Sequence, residues 1–291
     1  MRFITALLST SLCFTALSLS ACSGGSSETK APETASQKVE QAQSLADVIA
    51  HPRREKDSAR DQFRHPQETL DFFEVTPGKA VAEIFPGWYS DIIAPYLNQN
   101  GGSYYAVLLP SGINERFDKR IAAYKEKYSD TKTYGEVSFS SMGKNNSGPI
   151  LPAASLDVVL TFRNVHNWMA GGYVDQSFSE FYAALKPGGI LGVVEHRLPE
   201  TATQDPRAKS GYVQESYMKD IAARAGFEFV GSSEVNANPL DTADHPFGVW
   251  TLPPSSKLPS ADSEKASGFD AQLYKNIGES DRATLKFRKP L

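Results

Sequence analysis

Two short stretches carry side chains able to hold and move protons. Arg163, Asn164, His166, Asn167 and Trp168 follow one another closely. A histidine exchanges its proton near neutral pH, so this stretch is a candidate substrate site with His166 as base and Asn167 and Trp168 beside it. A structural alternative stands next to it, in which Trp168 packs under a sheet edge and His166 shapes a loop. Glu195-His196-Arg197 is the second stretch. Glu195 and His196 form a candidate acid–base pair, although such a trio also makes a plain ion-pair network. Further back, Glu83 precedes Pro86, Gly87, Trp88 and Tyr89 at the end of an apolar run. His51, His65, His166, His196 and His245 are scattered without ligand spacing, so no metal site is expected. The Gly-x-Ser-x-Gly elbow of a hydrolase is absent.

The elements that must position these residues are legible as apolar runs bounded by turn residues. Ala80–Phe85, Tyr104–Leu109, Thr133–Phe139, Leu156–Phe162, Ile190–Glu195, Phe227–Val235 and Ala283–Lys289 are predicted strands. Helices are predicted near Leu45–Ile49, Arg60–Phe73, Tyr89–Leu97, Glu115–Tyr128, Val174–Leu185 and Tyr212–Ala225, the fifth closed by Lys186-Pro187-Gly188-Gly189. Ser140–Pro152 reads as loop. Strands alternating with helices predict an α/β fold: a doubly wound, mostly parallel seven-stranded sheet with helices on both faces. Ligands in such sheets sit beyond the carboxyl ends of the strands, which here are Phe85–Tyr89, Leu109–Ile113, Arg163–Trp168 and Glu195–Leu198.

The ends of the chain add a location. Arg2, an apolar stretch to Leu19 and then Ser20-Ala21 have the order of a secretory signal, too short for a mature spanning helix. Leu19-Ser20-Ala21-Cys22 resembles the bacterial lipobox, which implies a signal over residues 1–21 and lipid on Cys22. The run Ser23-Gly24-Gly25-Ser26-Ser27 opens a disordered tether over 22–44. Ser23 after the cysteine implies, by the same resemblance, the periplasmic face of the outer membrane. Cys13 and Cys22 are the two cysteines, so the domain after the tether has none and relies on its core. About 245 residues remain, enough for one sizeable domain over 45–291. A net charge of −4 leaves no nucleic-acid footprint, and a monomer is expected.

Three stretches in order carry a family resemblance. Val81-Ala82-Glu83-Ile84-Phe85-Pro86-Gly87, Leu156-Asp157-Val158-Val159-Leu160 and Leu185-Lys186-Pro187-Gly188-Gly189-Ile190-Leu191 resemble motifs of class I S-adenosylmethionine-dependent methyltransferases. Thr161–Trp168, Asn236-Ala237-Asn238-Pro239, His245–Trp250 and Ile277–Arg282 extend the likeness to a group of predicted bacterial methyltransferases. The resemblance implies a Rossmann-like fold and S-adenosyl-L-methionine as cofactor. Glu83, Pro86, Gly87, Trp88, Tyr89, Arg163 and Asn164 would hold it, and a small-molecule or protein acceptor would face His166, Asn167, Trp168, Glu195 and His196.

Two positions depart from that pattern. Gly87 is the only glycine before Trp88-Tyr89, where the family spaces several. The second strand ends Val107-Leu108-Leu109-Pro110, without the carboxylate that receives the ribose hydroxyls. Glu115 is the nearest acid, and a helix's first turn is its other use. Two functions follow: a lipid-anchored methyltransferase, or a non-catalytic binding or scaffold lipoprotein that keeps the fold. An insertion at about 237–280 either covers the cleft as a lid or pads the sheet edge, and Glu279-Ser280-Asp281-Arg282 has the composition of a turn.

Overall fold

The apolar runs form strands covered on both faces, which is why they lack the polar alternation of a half-exposed sheet. The computed structural model describes residues 43–145 and 148–291. Its strands are β1 (Ala80–Ile84), β2 (Ser103–Leu108), β3 (Ser138–Ser141), β4 (Leu156–Phe162), β5 (Leu185–His196), β6 (Glu228–Ser233), β7 (Pro246–Val249) and β8 (Arg282–Arg288). Seven of them make one sheet in the order β3-β2-β1-β4-β5-β8-β6. β8 runs antiparallel to both its neighbours and the other pairs are parallel. β7 lies outside the sheet, in the insertion between β6 and β8. The signal, Cys22 and the tether to residue 42 lie outside the described residues. Among the described residues no helix is long and apolar enough to cross a membrane.

Alternate residues of each strand feed two cores. Val81, Tyr104, Val158 and Leu160 pack with Leu45, Leu70, Ile92 and Ile93 on one face. Ala82, Ile84, Val107, Val159 and Leu191 pack with Phe178, Phe181, Met218 and Ile221 on the other. Asp157, the acid inside the β4 run, pins the register: it accepts from the Ala80 amide at 2.8 Å and from Lys186 Nζ at 2.9 Å. Gly192 in β5 is required by close approach, since an added Cβ would lie 2.6 Å from the Phe73 ring.

Four local expectations are corrected. The helix expected over Arg60–Phe73 is two short ones, Asp61–Arg64 and Pro66–Phe72. Pro66 disfavours helical backbone at the residue before it, and His65 turns left-handed at φ 38°. The third strand starts later than expected, because Asp130 caps a turn of helix at Thr131–Tyr134 and Gly135 then reverses the chain at φ 70°. Lys186–Gly189 does not close a helix; it lies within β5, with Gly188 N bonded to Lys289 O at 2.8 Å. Finally, Val165–Gly171 is a helix, so the residues read as a site loop are divided between its faces.

Candidate functional site

At the carboxyl ends of β4 and β5 the backbone splays. Arg163 follows Phe162 at φ 63°, a left-handed conformation that costs an arginine roughly 1–2 kcal/mol. Its amide is still bound to Val194 O at 2.7 Å. Asn164 turns inward and ties β1 to β4, its Nδ2 donating to Ile84 O at 3.0 Å and to Thr161 Oγ1 at 3.2 Å. The helix Val165–Gly171 then places His166 in its first turn, facing Glu195 at the end of β5.

Glu195 is fully buried, and its carboxylate accepts from the His166 amide at 3.2 Å and the His196 amide at 2.8 Å. His166 Nδ1 lies 3.0 Å from Glu195 Oε1. A carboxylate on Nδ1 fixes that nitrogen as the donor and leaves Nε2 as the ring's acceptor. His196 stands beside it, ring centroids 5.5 Å apart, with Nδ1 2.5 Å from Ser280 Oγ. Burial drives the His196 pKa well below the ordinary 6.5, and His166, Arg282, Arg163 and Arg64 push the same way.

These histidines line a cavity of about 320 Å³ together with Arg60, Arg64, Arg163 and Arg282. Trp88 and Trp250 form opposite parts of its wall. Trp88 is sandwiched between Arg54 and Arg64, each guanidinium 4.9 Å from its ring, and its Nε1 donates to Asp57 O at 3.2 Å. Tyr89 stacks on Phe162 at 3.9 Å and donates to Arg64 O at 2.6 Å, which holds the same segment from below. Glu279 is the arginines' counter-charge: it accepts from Arg60 Nε at 2.6 Å and Arg64 Nε at 3.1 Å, and it pairs with Arg282. Burial works to raise its pKa, but Arg282, Arg64 and Arg60 overcome that and hold it at about 2. Arg64 is brought down to about 8 and Arg163 to about 10, by burial first and by neighbouring arginines second.

The site therefore differs from the expected one residue by residue. Arg163, His166, His196 and Trp88 face the cavity. Trp168, expected beside the acceptor, is fully buried against Phe85, Phe178 and Phe181 and belongs to the core. Asn167 is on the exposed face of its helix and Asn164 is a strap between strands. The insertion supplies one wall of the cavity through Val249, Trp250, Pro253, Pro254 and Ser255. Glu279, Ser280 and Arg282, read as turn residues, are buried parts of the site. Arg60 and Arg64 carried no signal beyond their charge, because a helix far away in sequence delivers them.

His166, Glu195 and His196 bring ligand-type atoms within 4.8 Å of one another, a juxtaposition the scattered sequence positions concealed. Glu195 is already occupied by three N–H contacts, and four arginines around the cavity repel a cation. The trio is better suited to hold a proton than a metal ion.

The positions expected to hold S-adenosylmethionine are a separate matter. Glu83 is buried, and its oxygens are taken by Gly87 N at 3.1 Å, Ser90 Oγ at 2.8 Å and Tyr104 OH at 2.7 Å. Burial raises its pKa against those three bonds. Gly87 has open space where a Cβ would stand, room that a ligand approaching the backbone would use. Pro86 lines a cleft of about 140 Å³ with Phe85, Leu108, Leu109 and Tyr124, and a neighbouring cleft of about 210 Å³ shares Leu108 and Leu109. Glu115 is exposed and paired with Lys119 at 2.6 Å, leaving no carboxylate at the end of β2. The residues fit the cofactor in part: Phe85, Pro86, Leu108 and Leu109 give apolar wall and Ser111, Lys125, Ser140 and Ser141 give polar groups, but no carboxylate lines these clefts for the ribose hydroxyls.

No family model and no curated protein matches the chain. Among solved structures it is similar to the [4+2]-cyclase SpnF, with TM-score 0.52 and 16% identity over 78% of this chain and 81% of that one. It also resembles a SAM-dependent methyltransferase from Aquifex aeolicus (TM-score 0.48, 17% identity, 67% and 94% covered). A third similar structure is the Burkholderia thailandensis 1,6-didemethyltoxoflavin-N1-methyltransferase with S-adenosylhomocysteine bound (0.45, 14%, 85% and 87%). The chain thus shares its α/β fold, a seven-stranded sheet flanked by helices, with SpnF. At these identities the likeness concerns the fold alone.

Proposed function

We propose that this chain is a methyltransferase-fold binding protein, exported and held to the periplasmic face of an outer membrane by lipid on Cys22. It captures a small molecule in the arginine–histidine cavity and does not transfer a methyl group. One contrast carries this reading. Glu83 at the cofactor position is consumed by Gly87, Ser90 and Tyr104, whereas Arg163, His166 and His196 line a cavity.

A second reading, methyl transfer from S-adenosylmethionine to an acceptor in that cavity, is favoured by one observation. The Ser140 hydroxyl is buried without a partner in the cleft at the ends of β2 and β3, among Ser111, Lys125 and Ser141. Calorimetric titration of the full chain, purified in nonionic detergent, with S-adenosylmethionine and S-adenosylhomocysteine separates the two. No heat at millimolar ligand is expected; micromolar binding would overturn the first reading and establish the second.

A further inference from the structure

The wall of the cavity has more positive charge than the protein neutralises. Arg60, Arg64 and Arg282 share Glu279, Arg163 is beside them, and Glu195 lies behind His166 and His196, with His196 kept neutral by burial, so four cations stand against two carboxylates. The arginine nitrogens Arg60 Nη2, Arg64 Nη1 and Arg282 Nε are buried with no acceptor. Buried polar groups in folded proteins nearly always have partners, and exceptions call for a reason. Arg163 differs from these three, since its guanidinium nitrogens are not buried but open to the cavity. It is half-buried, lines the cavity, holds a strained left-handed backbone, and its guanidinium makes no hydrogen bond or ion pair with any described residue. Strain of this kind persists where the surrounding structure over-determines it, and it gathers at functional sites.

We infer that the cavity is a receptor for a doubly charged oxyanion, a phosphoryl group carried on a small molecule, with Arg163 as its principal donor. The inference rests on the binding reading above and names its ligand class. Two negative charges answer the two uncompensated positive ones, and a planar guanidinium recognises phosphate through paired N–H donors. Arg60 stands partly exposed beside it, and His166, oriented by Glu195, and His196 add ring nitrogens at the same wall. Arg64 and Arg282 are bound to Glu279 and supply field more than contact. A volume of about 320 Å³ admits a phosphate with a few carbons and is at the small end of the range for ligand pockets. A soluble ester is the favoured source over a lipid headgroup, which would have to leave its bilayer to reach a cleft walled by Trp250, Pro253 and Pro254.

The test titrates the full chain in nonionic detergent with inorganic phosphate and with glycerol phosphate, against sodium chloride at matched ionic strength. Saturable binding is expected for both, with retention on phosphatidic acid vesicles no greater than on phosphatidylcholine vesicles, which the lipid on Cys22 engages equally. Arg163→Asn, whose new side chain tolerates the left-handed backbone, should weaken binding by about tenfold or more, as loss of a charged hydrogen bond does, and Arg163→Lys should restore part of it. Without ligand, Arg163→Asn should melt higher than the parent, the opposite of what removing a structural arginine does. Arg224→Gln, on the surface pair with Asp175, is the control that leaves binding unchanged. Phosphate heats equal to those of chloride, or an Arg163→Asn protein that binds phosphate as well as the parent, would overturn the inference. Greater retention on phosphatidic acid vesicles, lost with Arg163, would reassign the phosphoryl group to a lipid. Titration with S-adenosylmethionine on the same preparation tells failure of the binding reading from failure of the ligand class.

Discussion

Glu279→Gln removes one charge and almost no volume from the place where three guanidiniums converge. The carboxylate is only 3% exposed and bonded to Arg60, Arg64 and Arg282. Its pKa lies at about 2 instead of the ordinary 4.5 because the arginines outweigh burial. That gap corresponds to about 3 kcal/mol at roughly 1.4 kcal/mol per pH unit. Breaking a buried pair costs about 3–5 kcal/mol by a separate route, so the two magnitudes agree. Arg64 is less comfortably charged than a free arginine even with Glu279 present, and losing the carboxylate leaves it worse. For a domain of this size each kcal/mol moves the melting temperature by roughly 2–4 °C, so a fall of about 6–12 °C is expected. The sign with pH follows from linkage. A carboxyl with a depressed folded pKa stabilises fully above about 4.5 and loses that stabilisation as pH falls toward 2. Urea unfolding of the parent and the variant at pH 7 and pH 3.5 should therefore show a large difference that narrows in acid. A variant within about half a kcal/mol of the parent at pH 7, or a difference that does not narrow, would refute the reasoning.

Other consequences are independent of that pair. His196 is kept neutral by burial, with His166, Arg282, Arg163 and Arg64 facing it, while Glu195 and Ser280 accept or pair nearby. Its folded pKa is depressed, so the unfolded chain takes up a proton that the folded one refuses once pH drops below about 6.5. Melting temperature should fall between pH 7 and 5, and less steeply in His196→Gln. Trp168→Ala should cost about 3–5 kcal/mol in chemical denaturation as a core truncation and leave any ligand that still binds with its affinity unchanged. Gly248→Ala should loosen the insertion, because a Cβ there would sit 2.1 Å from Ser210 O at φ 57°; faster proteolysis of that segment checks it. Cys22→Ser should abolish labelling with radioactive fatty acid and release the protein from membranes; labelling that persists would remove Cys22 as the anchor.

The positions of the sheet's strands along the chain and their two-sided burial were legible in the sequence because a buried parallel strand must be a largely apolar run, as Leu156–Phe162 is, and such runs announce themselves locally. Local chemistry also disclosed the site's two faces after β4 and β5, since a ligand in this fold has to meet residues that follow strands. Side-chain direction was not legible. Val165–Gly171 proved helical, and a helix sends neighbours to different sides, so His166 faces the cavity while Trp168 enters the core and Asn167 meets solvent. Nor could the sequence show that Glu83 is satisfied by Tyr104 and Ser90, or that Arg60 and Arg64 stand opposite Glu279, because those partners meet only when the sheet is assembled. The sequence by itself determined the layers, through the periodicity of burial. The tertiary structure alone decided which charges are neutralised and which are left facing the cavity, because electrostatic compensation depends on distances between segments that are far apart along the chain.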